Sequence, residues 1–450
     1  MPDQLSIGID IGSTWVKAVA CTPEGSVVHE CRRATPWEAG RGGTAELSPV
    51  VLTGLVHDLL DDLIAATDAT IDGIGVSGMA EAGVLLAADG SAGAPIIAWF
   101  DPRGGAEIDA TPADFQAAFP GVTGLPVSPL ASVAKLLHLR GRGVDLVGHR
   151  WLSVPEFVVH QLGGDVAAEV SLIARTGLLD QESATVWPWA LDVLGVPAGF
   201  VPEIRTAGSS WGRHARTGAT LSVAGHDHLV ATVAAGVVDE DQLYDSMGTA
   251  EALVRPLSDL LDAPTRTQLA ASGLNVVRHM VAGHGVMLAG VKTGLLLRRV
   301  LQLVGVNDAA GREALDRAVM ALPPGADRIL EVTGARNNDG VLALTADVDG
   351  LSPAHLFAAT LAHADREVER ILELMDEVVA PASSSIVSGG WSQMLSVQAA
   401  RRAVLPHPTF SPRSEDTAVG AALVGAFAAQ EATDFVAFTR QTRHQETTAR

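Results

Sequence analysis

The chain has 450 residues, 47% of them hydrophobic, and a formal net charge of −21. That length sets a prior of two or three domains, and that composition is enough for large cores. With 52 acidic residues against 31 basic ones, and only Lys17, Lys135 and Lys292 as lysines, no basic stripe exists to release counterions; nucleic-acid binding is excluded. No run of about 18 apolar residues free of charge occurs, so no membrane span is expected. MPDQLSIGID lacks the basic and apolar regions of a signal peptide. The two cysteines, Cys21 and Cys31, fit a reducing cytoplasm better than a disulfide scaffold.

Residues 6–36 read as three short strands joined by turns, with Cys21 and Cys31 on paired strands. Residues 50–67 have helical apolar spacing, and IDGIGVSG at 71–78 reads as a buried strand. The run 83–101 reads as strand, turn, strand, with Asp89-Gly90 as the hairpin signal. Residues 112–162 read as mostly helical. SVAGHDHLVATVAAGVV at 222–238 predicts a strand, a polar loop and an Ala-rich helix; QLYDSMGTAEALVRP at 242–256 predicts strand, Gly-Thr turn, strand. Residues 286–304 and 354–380 read as long helices. SIVSGGWSQMLSVQAARRAV at 385–404 predicts strand, Gly-Gly turn, helix, and 415–429 a small-residue helix. Residues 431–450 are polar, and the end is expected to fray.

One internal repeat stands out. Asp10-Ile11-Gly12-Ser13-Thr14 and Ser246-Met247-Gly248-Thr249-Ala250 share the frame polar-x-Gly-Ser/Thr-small, each between two strands. The repeat suggests two copies of one αβ domain, residues 1–238 and 239–430, whose turns converge on one ligand. Two turns offering backbone NH groups from opposite sides grip a polyphosphate without many lysines, which suits an acidic chain.

IGIDIGSTWVKAV, GVSGMAEAGVLL, IIAWFDPRG, EVSLIARTGLLD, AGHDHLVATVAAGVV, SMGTAEALV, SGGWSQ and EDTAVGAAL occur in that order over residues 6–428. The ordered set resembles the FGGY carbohydrate kinases, the group that holds glycerol kinase and xylulokinase. The FGGY signature itself is not evident. The resemblance implies an α/β fold of two actin/hexokinase-like (ribonuclease H-like) ATPase domains around a central cleft. It also implies transfer of the γ-phosphoryl of ATP, with Mg²⁺, to a hydroxyl of a ketose, deoxyketose or polyol. A homodimer is implied only by family habit. The alternatives are a sugar-sensing regulator that kept the fold and lost catalysis, or another ATPase of that fold.

Residue by residue, the resemblance implies that Asp10 holds the metal and that Gly12, Ser13, Thr14 and Lys17 meet the β- and γ-phosphates. Gly248 and Thr249 match the second phosphate turn; Gly389 and Gly390 match the turn under adenosine. Asp227 matches the catalytic base; local sequence alone also suits it to cap the following helix. His228 follows as a substrate contact. Met79, Ala80 and Glu81 fall in the substrate loop, where relatives carry Gln-Met-His or Gln-Arg-Glu. This chain keeps the acid and lacks the Arg, and a free carboxylate there would repel a sugar acid. Asp101 either touches substrate or pairs with Arg103, and Trp99 either walls the pocket or packs. Trp391 either stacks on adenine or fills a gap. Gly420, Ala421 and Ala422 read as close helix packing beneath the adenosine turn.

Overall fold

Alternating apolar residues at the start of the chain form β1 (Gln4–Ile11), β2 (Trp15–Cys21) and β3 (Val27–Ala34). The computed structural model describes residues 4–248, 250–336, 341–411 and 416–449. β4 (Thr70–Gly78) and β5 (Thr220–His226) add in parallel on the other side of β1, giving the order β5-β4-β1-β2-β3. Helix α1 (Pro49–Ala65) starts at a Ser48 cap with Pro49 at its first position, where no NH is needed, and buries Leu52, Val56, Leu59, Leu60 and Leu63.

The second sheet is built from β6 (Gln242–Met247), β7 (Glu251–Leu257), β8 (Asn275–Arg278), β9 (Gly285–Val291), β10 (Ser384–Ser388) and β11 (Pro408–Phe410). Its order is β8-β9-β7-β6-β10-β11, with β6, β7 and β9 antiparallel in succession and β10 and β11 parallel to β6. Apart from the edge strand β8, this repeats the order and directions of the first sheet. The turns after Ile11 and after Met247 hold the same place in the two sheets. Ile7, Ile9 and Leu59 belong to one core cluster, and Leu253, Leu297 and Phe357 to another. A third cluster takes Leu229 and Val230 from the first half and Tyr244 and Val254 from the second.

Helix α2 (Asp227–Ala234) follows β5 directly, without the expected polar loop, and α3 (Pro353–Asp376) covers the second sheet. Helix α4 (Asp416–Ala429) lies against β1 and β4 of the first sheet. Its small residues meet glycines of the strands: a Cβ on Gly8 would overlap Ala418 O, one on Gly73 would overlap Gly425 O, and one on Gly75 would overlap Ala421 O. The close packing expected at Gly420–Ala422 is therefore present, but its partners are the first sheet and α2.

Three other expectations are corrected. Residues 285–291 form β9, and the helix begins only at Thr293; a short apolar run such as GVMLAGV does not distinguish strand from buried helix. Asp89-Gly90 does close a short hairpin, with Gly90 at φ +83° and Leu86 bridged antiparallel to Ala92, but the longer pairings lie elsewhere: Gly83–Ala87 pairs with His149–Ser153, and Ile96–Ile97 with Ala45–Leu47. The polar end is a helix, Phe435–Ala449: Phe435 and Phe438 set their rings 5.1 and 5.6 Å from Phe427, and Arg440 pairs with Asp239. Cys21 and Cys31 lie on the paired strands β2 and β3. No helix among the described residues is long and apolar enough to cross a membrane.

Candidate active site

The C-terminal ends of three parallel strands carry the expected acids. Asp10 on β1 is in register with Ser77 on β4, which pairs with Gly225 on β5; Ile11, Gly78 and His226 form the next row. At about 4.8 Å per strand, Asp10 and Asp227 stand roughly 10 Å apart along this edge. Asp10 is 7% exposed, and Lys17 faces it across the β1–β2 pair.

The first turn is braced from outside. Gly12 NH donates to Trp15 O at 3.1 Å, and Thr35 Oγ1 donates to Gly12 O at 2.7 Å. The indole NH groups of Trp37 and Trp99 donate to Ser13 O and Ser13 Oγ, at 2.8 and 2.7 Å. Trp99 is half-buried and works as a brace on the turn. Thr14 is exposed.

Asp227 is the first residue of α2, and the cap position belongs to His226, whose side chain makes no cap hydrogen bond. Asp227 Oδ1 accepts from its neighbour His228 NH at 2.7 Å, and His226 Nε2 lies 3.2 Å from the same oxygen. Those are not the second- and third-residue NH bonds of an N-cap, so capping does not consume this carboxylate. His226 is buried, and desolvation pushes its pKa down to about 3, so it stays neutral. Behind it, Ser171 Oγ accepts His226 NH at 3.1 Å and donates to Glu169 Oε2 at 2.6 Å. Gly225, at φ +114°, has Ser171 Oγ where a Cβ would go. Glycine is required at that position on both counts.

Glu81 is buried and ion-paired. Arg175 Nε and Nη2 donate to Glu81 Oε1 at 2.9 and 2.5 Å, and Ser132 Oγ donates to Glu81 O at 2.8 Å. The guanidinium beside Glu81 thus comes from residues 169–180, 94 positions away in the chain. Spacing could not reveal it; the one signal was an Arg inside the EVSLIARTGLLD motif. Met79 and Ala80 lie in the core cluster beneath the loop, and Met79 NH donates to Ile11 O at 3.1 Å. Asp101 resolves toward the ion pair: it is fully buried, binds Arg103 at 2.6 Å, and accepts Ala45 NH at 2.9 Å. Its carboxylate is thus held by the Arg103 side chain and the Ala45 NH.

In the second half, Gly248 NH donates to Ala250 O at 3.2 Å. Thr249 lies outside the described residues. Gly389, at φ +98°, packs on the backbone before Gly248; a Cβ there would overlap Met247 O. Gly390 faces open space, and the Trp391 ring packs against the core.

Residues 5–239 match the N-terminal domain of the FGGY family of carbohydrate kinases. The chain is 22% identical over 451 residues to an L-fuculokinase of Escherichia coli K12, covering 94% of this chain and 92% of that one. It shares its fold with the xylulose kinase of Lactobacillus acidophilus (TM-score 0.84, 17% identity, 97% and 92% of the two chains). It does so equally with Plasmodium falciparum glycerol kinase crystallised with ADP (TM-score 0.84, 14% identity, 98% and 93%). The two repeated sheets are the actin/hexokinase-like domains of these enzymes, and the chain belongs to the FGGY family of carbohydrate kinases.

Proposed function

We propose that these strand ends transfer the γ-phosphoryl of ATP to a hydroxyl of a neutral sugar (a ketose or deoxyketose such as xylulose) or of a polyol. What supports this reading is the shared edge that carries Asp10, the turn 12–14 and Asp227 within one row of parallel strands. The units would be 1–238 and 239–430, with α4 crossing back onto the first sheet.

Phosphoryl transfer needs positioning and charge stabilisation more than covalent help. Gly12, Ser13, Thr14 and Lys17 present NH, OH and ammonium groups to the β- and γ-phosphates, and Gly248 and Thr249 do so from the second half. Gly389 and Gly390 leave room for adenosine. Asp227 takes the proton of the attacking hydroxyl as its oxygen bonds to the γ-phosphorus. The bond from that phosphorus to the β–γ bridging oxygen breaks, and ADP leaves with the electron pair. Neutral His226 sets its Nε2 3.2 Å from Oδ1 and walls the carboxylate on that side. The Asp10 carboxylate is a hard oxygen donor whose Oδ2 faces the turn, 3.8 Å from where a Gly12 Cβ would stand. That fits Mg²⁺, which would neutralise phosphate charge when bound. His228 and Glu81, with Arg175, would read the substrate hydroxyls. Because Arg175 balances Glu81, the loop presents no net negative charge from this pair.

The test is Asp227→Ala: turnover should fall by at least about 10²-fold while calorimetric ATP binding stays nearly intact. Loss of ATP affinity with turnover preserved would refute the assignment.

A further inference from the structure

The chain carries three lysines, and the structure accounts for two of them. Lys17 stands opposite Asp10 on the first hairpin. Lys135 is 2% exposed, and its ammonium donates to the carbonyls of Asp101, Arg103 and Pro129, which fixes the loop below the site. Lys292 has no such employment: among the described residues its side chain has no carboxylate partner, and its contact is with a ring. Its Nζ lies 6.0 Å from the centroid of Trp99.

The position of Lys292 is what matters. It follows Val291, the last residue of β9, which pairs with Glu251, the residue just after the second phosphate turn. Its backbone therefore flanks the turn at 248–250. Its ammonium reaches the first half, onto the indole whose NH holds Ser13 Oγ of the first turn. One cation thus links the strand end beside the second turn to the indole that braces the first. It is half-buried, in a chain with 52 acidic residues, yet among the described residues no acid pairs with it. Burial lowers its pKa, with Arg299 adding to the effect. An aromatic face is a weak partner for such a charge, and a four-carbon stem lets the ammonium leave it for a stronger one.

We propose that Lys292 is a catalytic residue that the second half supplies to the transferring phosphoryl group, waiting on Trp99 until ATP binds. This rests on the reading of the two turns as phosphate turns. In the step, the sugar oxygen bonds to the γ-phosphorus, the bond to the β–γ bridging oxygen breaks, and the proton goes to Asp227. Lys292 keeps its protons and donates N–H bonds to the γ-phosphoryl oxygens, where negative charge builds. The acidic chain thereby brings positive charge to the reaction from one mobile side chain.

The experiment uses the full chain with Mg-ATP and its best sugar acceptor. Lys292→Gln should lower kcat about 10²-fold or more, as loss of one transition-state donor does, and leave the sugar KM within about threefold. It should weaken the complex with ADP, aluminium fluoride and sugar in parallel with kcat, and leave ADP alone nearly unaffected. Lys292→Arg should retain most of the activity and shift the alkaline limb of the kcat profile to higher pH, because a guanidinium does not titrate there. A kcat within about twofold of the parent in Lys292→Gln, or an alkaline limb unmoved in active Lys292→Arg, would overturn the proposal. Asp10→Asn, assayed in parallel, separates the two readings. If it weakens the aluminium fluoride complex and Lys292→Gln does not, the lysine proposal alone fails. If neither does, the phosphate-turn reading fails with it.

Discussion

Glu81 and Arg175 show how one contact changes the meaning of a residue. A lone carboxylate in the substrate loop would make the pocket anionic; paired with a buried guanidinium it becomes a neutral, rigid hydrogen-bonding unit. Glu81→Gln should raise the sugar KM at least about tenfold, roughly 1.4 kcal/mol, and change the ATP KM far less. Equal, small effects on both would make the pair purely structural. Arg175→Met leaves a buried carboxylate without its partner and should destabilise the chain by about 3 kcal/mol, read as an earlier denaturant midpoint. At the metal end, Asp10→Asn should raise the Mg²⁺ concentration needed for half-maximal rate, and an unchanged titration would remove Asp10 from that role. Local pairs such as Asp101 with Arg103 were legible, because two residues of spacing nearly dictate the bond. Glu81 with Arg175 was not, because only the folded chain brings positions 94 residues apart together.

At the scale of elements, glycine carries the packing. Gly75 has no room for a methyl because Ala421 O occupies the space, so Gly75→Ala should cost about 3 kcal/mol or more. Gly54, exposed inside α1 with open space around it, is the control: Gly54→Ala should stabilise by about 0.5–1 kcal/mol. A Gly75→Ala protein of unchanged stability would contradict the seating of α4 on the first sheet. The small residues of α4 were visible in the sequence, but not which sheet they meet, since helix–sheet contact is long-range. The hairpins β1–β2 and β6–β7 were legible because alternation and a central glycine act locally.

Buried acids next to these elements set a pH dependence. Burial raises the pKa of Glu156 to about 8 and of Glu169 to about 7, against an ordinary 4.5. The folded chain then holds more protons than the unfolded chain between those values, so stability falls as pH rises through that window. His226 and His279 act oppositely: desolvation pushes each down to about 3, so stability falls as pH drops below 6.5. Melting temperature should therefore rise from pH 8.5 to about pH 6.5 and decline in acid. Glu156→Gln should flatten the alkaline part of that curve; a slope unchanged in this variant would exclude Glu156 as its source.

For the whole molecule, duplication explains both the architecture and the chemistry. Two sheets of the same order each offer a glycine turn at the end of their first strand. On the proposed reading, an acidic chain would hold a polyphosphate between two such turns through backbone NH groups, one metal and few cations. The repeat frame at Asp10–Thr14 and Ser246–Ala250 made this duplication legible. The return of α4 to the first sheet, and the reach of Lys292 from one half to the other, were not, because both depend on how the halves meet. The measurement that tests the account most directly is ADP release from Mg-ATP against a panel of ketoses, deoxyketoses, aldoses and polyols, with Asp227→Ala as the blank. The account predicts release that depends on one class of neutral sugar or polyol and vanishes in the blank. A flat panel with ATP still tightly bound, or release equal in the blank, would contradict it.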